Sequence, residues 1–91
     1  MCRNIRTLFN FDPPASDEEI RASALQFVRK LSGFNKPSRA NEVPFEHAVE
    51  EVTRIARMLL DELVTSEPPR DREIEAQRAR ARAEKRFGAR A

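Results

Sequence analysis

Few side chains in this 91-residue chain could do chemistry, and they are scattered along it. The only cysteine is Cys2, and excision of Met1 would expose it as a 1,2-aminothiol. Arg3 and Arg6 would favour its thiolate, so a redox, thiol-transfer or haem-thiolate role is one hypothesis, with an incidental free cysteine as the alternative. The only histidine, His47, lacks further ligands at the spacing of a metal site. We therefore expect no catalytic site, no metal and no cofactor, and a protein that is not an enzyme.

Positive charge supplies two further candidate sites. The first is the loop from Gly33 to Arg39. Its Lys36, Ser38 and Arg39 would bind an anion together with the free amide groups that begin the following helix. The alternative is a tight connection with solvated charges.

The second candidate site is the tail, where residues 76–91 carry six Lys/Arg and one Asp/Glu, a net charge of +5. Its candidate binding side chains are Arg78, Arg80, Arg82, Lys85 and Arg86. Residues 78, 82 and 86 share a helix face, which suits a phosphate backbone and predicts strongly salt-dependent binding. No aromatic residues are interleaved for base stacking, so sequence readout is not expected. Acidic proteins fit the tail equally well, and a solvated helix is the alternative.

Two strongly patterned helices must position these groups. Ser16 to Glu19 form a capping box, followed by a stripe of apolar residues and by Gly33, which predicts a helix over 17–32. Asn41 is the predicted N-cap of the next helix, which runs to near Thr65. Joined by about ten residues, the two helices should pack as an antiparallel pair.

The secondary-structure signals in the remaining segments are weaker. Ile5, Leu8 and Phe9 have helical spacing, so a short N-terminal helix is expected within 3–9. Residues 71–87 favour helix by composition but have a poor apolar stripe, which would leave Ile74 to solvent or to a partner such as a second chain. No alternating run predicts a strand. We expect a core at 1–66 and, at 67–91, a Pro-Pro linker with the basic helix.

The length and composition of the chain limit the classes of protein to which it can belong. A chain of 91 residues makes one small domain, and a single cysteine excludes an internal disulfide. No stretch approaches the ~20 apolar residues of a membrane span, and the N-terminus has no signal-peptide run. A cytoplasmic protein is expected, and the Arg-rich composition is typical of a high-GC bacterium.

The order of these elements resembles a J-domain. The likeness runs from Leu8 to Arg21, returns at Phe45–Val52 and at Leu59–Asp61, and extends to Glu84–Gly88. It implies an all-α, J-domain-like antiparallel helical hairpin with a short N-terminal helix and a basic C-terminal helix. J-domains stimulate an Hsp70 ATPase through a His-Pro-Asp loop. Here Lys36-Pro37-Ser38 stands in that place, so the resemblance does not extend to Hsp70 stimulation.

A closer resemblance covers the whole chain. The opening Met-Cys-Arg-Asn-Ile, the Asn-Phe-Asp-Pro-Pro-Ala segment and the Ser-Gly-Phe-Asn-Lys-Pro-Ser loop are similar to those of a small uncharacterised bacterial family. That resemblance implies no activity. The leading hypothesis is a non-enzymatic protein-interaction module that uses the loop and the helix before it, with an unidentified protein partner. RNA, ribosome or other polyanion binding through the tail is the alternative, and a homodimer is compatible with both.

Overall fold

The computed structural model describes residues 5–88, with side chains to residue 85. The chain is mostly helical, as predicted. In chain order its elements are β1 (Phe11–Asp12), α1 (Asp17–Ser32), a 3-10 turn (Arg39–Asn41), α2 (Glu42–Glu62), β2 (Arg70–Asp71) and α3 (Arg72–Gly88). The two short strands pair in parallel, with Phe11 opposite Arg70. No strand was expected from the sequence, so that prediction was wrong.

Helix α1 has the predicted bounds because both of its ends are set by local signals. The backbone N–H of Glu19 donates to Ser16 Oγ over 3.1 Å, and the N–H of Ser16 donates to Glu19 Oε1 over 3.0 Å. These are the two bonds of a capping box. At the other end Gly33 has φ 80°, and its N–H donates to the carbonyl of Arg29. Glycine takes this left-handed conformation without steric strain.

Helix α2 begins after Asn41 as predicted but ends at Glu62, short of Thr65. Leu63 has ψ 142°, so the chain is already extended there although its apolar pattern continues. Asn41 does not cap the helix with its side chain. Its Nδ2 instead donates to Ser38 Oγ over 2.8 Å, which braces the 3-10 turn.

Helices α1 and α2 form the predicted antiparallel pair, since Arg57 late in α2 reaches Asp17 at the start of α1, with Nε 3.0 Å from Oδ1. Their shared core is small. It consists of buried apolar side chains only: Ala15, Ile20, Ala24, Val28, Phe45 and Val49. Around the last four pack the half-buried Leu25, Ala48 and Val52. The hairpin therefore has one close-packed interface and leaves its outer faces open.

The predicted N-terminal helix is absent from the described residues, since 5–8 have no regular structure. One or two turns cannot offset the cost of nucleating a helix without tertiary support. Asn10, at φ 64°, turns the chain instead so that β1 can pair with β2. Asn10 Nδ2 also donates to the carbonyl of Pro68 over 3.1 Å. The segment is therefore held by the linker that precedes α3.

Helix α3 projects from the hairpin. The radius of gyration is 16.4 Å, whereas a compact chain of this length would have about 12 Å. Apart from Arg72 and Glu75, the side chains of residues 72–85 are exposed. Within the described part of the chain, no helix is long and apolar enough to cross a membrane.

Candidate functional site

An open apolar groove lies between the end of α1 and the start of α2, with a volume of about 370 Å³. Its apolar lining is Phe27, Val28, Leu31, Phe34, Pro44, Phe45, Ala48 and Val52. We call this set the groove. Among the residues that the structure describes, Ser32 and Asn41 complete its lining. Leu31 is 75% exposed and Phe27 is 45% exposed, so the groove is accessible from solvent.

The groove continues along the hairpin. A second apolar depression of about 350 Å³ shares Phe27 and Val52 with it and extends to Leu8, Ala56 and Leu59. Helical spacing explains why the two depressions are continuous. Ala24 and Val28 of α1 face α2, whereas Phe27 and Leu31 lie on the neighbouring face of α1, which is exposed to solvent. The apolar stripes are thus wider than one helix–helix contact can cover. We call the groove and this extension together the apolar face.

The two helices that form the groove differ in charge. Every charged residue in the segment 20–41 is basic, whereas the segment 42–51 contains glutamates, His47 and no lysine or arginine. Among the described residues, no charged side chain lines the groove itself. Glu51 pairs with Arg54, with Oε1 3.1 Å from Nη2, and the hydrogen bonds from Arg54 lower the pKa of the Glu51 carboxyl.

The predicted loop site lies at the closed end of the hairpin. Lys36, Ser38 and Arg39 are all exposed. The Ser38 hydroxyl accepts the hydrogen bond from Asn41, and the N–H groups of Asn41 and Glu42 donate to the carbonyls of Ser38 and Arg39. Two of the amides expected to receive an anion are therefore occupied by the 3-10 turn. What the loop offers is two exposed cationic side chains, Lys36 and Arg39.

The basic residues of α3 divide between two faces. Arg78, Arg82 and Lys85 follow i, i+4, i+7 spacing and share one exposed face. Arg80 lies on the opposite face, near the position of Glu84. Arg78 also approaches Glu75, with Nη1 3.6 Å from Oε1. The side chain of Arg86, and the whole of Cys2, lie outside the described residues, so the predictions for them stay predictions.

A cluster that was not predicted from the sequence fixes α3 to the hairpin. We call it the α3 anchor, and its residues are Phe11, Glu19, Arg70 and Arg72. Arg72 donates to both carboxylate oxygens of Glu19 over 2.9 Å and, through Nε, to the carbonyl of Pro13 over 2.7 Å. The guanidinium groups of Arg72 and Arg70 lie 5.3 and 5.7 Å from the centre of the Phe11 ring. Both distances are within the range of cation–π attraction.

His47 is exposed on α2. Across the part of the chain that the structure describes, no group of three or more His, Cys, Asp or Glu side chains is placed to hold a metal ion. The polar side chains that do converge belong to the α3 anchor, where Arg72 of α3 forms an ion pair with Glu19 of α1. This arrangement stabilises the contact between the two helices.

Comparison with known proteins identifies the family. Residues 1–78 match the model of a family described as "Uncharacterized conserved protein (DUF2277)". Searches of curated proteins and of solved structures found no match. The matched range spans the hairpin, the α3 anchor and the first turns of α3, and it agrees with the predicted membership of an uncharacterised family. The chain belongs to the uncharacterized conserved protein family DUF2277.

Proposed function

We propose that this protein is a non-enzymatic, cytoplasmic protein-interaction module whose binding surface is the groove. The observation that carries the proposal is the exposure of Phe27 and Leu31 on a continuous apolar face. Small soluble monomers rarely leave a large contiguous apolar surface in water, because its burial is favourable. A face of this kind marks a binding site.

The shape of the groove defines what it accepts. It is a shallow channel between two antiparallel helices, which is the geometry that receives the apolar side of another helix. The scaffold is J-domain-like in the order of its hairpin and loop. Lys36-Pro37-Ser38 replaces the loop signature that stimulates Hsp70, so we propose binding without that activity. Lys36 and Arg39, the exposed cations of the loop, would add electrostatic steering.

Leu31→Glu is expected to abolish partner binding, because it places a carboxylate at the centre of the groove, where an apolar contact would form. Immobilised wild-type and variant proteins would be compared for the partners they retain at equal loading. Val43→Glu is the matched control, since Val43 is 81% exposed and does not line the groove. A Lys36→Ala, Arg39→Ala variant should bind more slowly while retaining the same partners. An unchanged partner set for Leu31→Glu would contradict the proposal.

A second candidate function is sequence-independent polyanion binding by α3. It is favoured by the exposed face of Arg78, Arg82 and Lys85 on a helix that projects from the hairpin. A row of cations one helical turn apart matches repeated phosphates, and RNA or ribosomal surfaces would satisfy it.

Replacing Arg78, Arg82 and Lys85 together with glutamine is expected to reduce RNA binding strongly. It should also flatten the dependence of log K on log[salt] by about 2, since each phosphate contact contributes roughly 0.7–0.9 to the slope. Fluorescence anisotropy with a single-stranded RNA at several salt concentrations measures both effects. Arg80→Gln, on the opposite face, is the matched control and should change the slope little. Equal slopes for the triple variant and the wild type would exclude this function.

A further inference from the structure

We propose that the occupant of the groove is a second copy of this chain, so that two hairpins pack face to face as a four-helix bundle. This inference rests on the proposed function, since it names the partner of the same surface. Two antiparallel hairpins with uncovered apolar stripes are the two halves of such a bundle. Each copy would supply the apolar cover that the other lacks.

A twofold axis parallel to the helices describes how the two copies would meet. It places α1 of each copy over α2 of its partner, so the same face of both copies is buried, as in an isologous interface. The exposed apolar side chains of α1 then meet the groove side of α2 in the other copy.

The amount of exposed apolar surface is also what a dimer needs. Phe27, Leu31, Phe34 and Leu59 are 45, 75, 39 and 55% exposed. With roughly 200 Å² for each fully exposed side chain, they leave on the order of 400 Å² of apolar surface per copy. A standard interface buries about 800 Å² per partner, a little over half of it apolar.

The small size of the core also favours dimerisation. In the described residues, Ile20 and Val49 are the only large side chains that are almost completely buried. A chain of this size gains little stability from a single core, and association is one common way to complete it. Dimerisation through the apolar face would move Phe27, Leu31 and Leu59 from the surface into a bundle core.

Sedimentation equilibrium of the full-length protein tests the inference. We expect a species of twice the 10.5 kDa chain mass in the wild type at micromolar concentration. Leu31→Glu should weaken dimerisation by about 100-fold or more, as for a charge introduced at an interface centre. Val43→Glu should remain dimeric, and circular dichroism should show both variants as helical as the wild type. A wild-type monomer, or a dimer that survives Leu31→Glu, would overturn the inference.

Two further outcomes separate this inference from the proposed function. If the wild type is monomeric but Leu31→Glu still loses its captured partners, the inference fails and the proposed function stands. If Leu31→Glu changes neither result, both fail.

Discussion

Replacing Phe45 with alanine is expected to lower the free energy of unfolding by about 3–5 kcal/mol. Phe45 is 6% exposed and packs with Ala24, Val28 and Val49 in the only cluster of buried residues described for the hairpin. It also lines the groove. Its loss would leave a cavity that the short side chains around it cannot fill. A protein of this size has a total stability of about 5–10 kcal/mol, so much of it would be lost.

Urea denaturation followed by circular dichroism measures this loss. Val43→Ala is the matched control, since Val43 belongs to the same helix and is 81% exposed. It should change the free energy of unfolding by less than about 0.5 kcal/mol. A cost below 1 kcal/mol for Phe45→Ala would show that α1 and α2 do not share the core described.

Acidification is expected to release α3 from the hairpin before the hairpin itself unfolds. The hydrogen bonds from Arg72 lower the pKa of the Glu19 carboxyl, and the Ser16 amide and the charges of Arg72 and Arg6 act in the same direction. A lowered folded-state pKa means that the anchor stabilises the fold fully above the unfolded pKa, about 4.3. Its contribution is lost as the pH falls from there through the lowered folded-state value.

Arg72→Met should release α3 from the hairpin at neutral pH. It removes a bidentate, partly exposed ion pair, so we expect a loss of about 1–2 kcal/mol. Spin labels on the exposed positions of Ala22 and Ala83, in a Cys2→Ser background, would report a single narrow distance in the parent and a broad distribution in the variant. Arg80→Met is the matched control, since Arg80 is exposed on α3 and lies outside the anchor, so its distance distribution should stay narrow. A distribution as narrow in Arg72→Met as in the parent would contradict the role of the anchor.

The elements that the sequence predicted well are those whose signals are local. Ser16, Glu19 and Gly33 act within a few residues of the ends of α1, and those ends were predicted correctly. The end of α2 was placed too late, because Leu63 continues the apolar period while its backbone is extended. The prediction of an N-terminal helix was wrong because the conformation of residues 5–9 depends on Asn10 and on a linker far along the chain.

The groove was not predicted, for a related reason. The loop site at Lys36 and Arg39 stays a prediction, and periodicity alone could not show that Phe27 and Leu31 stay exposed while Val28 is buried. That difference is set by the angle at which α2 crosses α1. The pairing of Arg72 with Glu19 joins residues 53 apart, and no spacing rule connects them. A strand of two residues likewise has no alternation to detect.

The carboxylate of Glu19 also bears on the order in which the parts of the chain fold. Its Oε1 accepts the Ser16 N–H that starts α1 and the Nη2 of Arg72 that holds α3. Closing the anchor from an unfolded chain would carry the entropy of a long loop, whereas a hairpin formed first already spans most of that distance. We therefore expect α3 to dock onto a hairpin that has already formed and to detach from it as a separate unit. Each detachment would remove the Arg72 hydrogen bonds from Glu19, the partner of Ser16 in the capping box, and would so couple the opening of α3 to fraying of the first turn of α1.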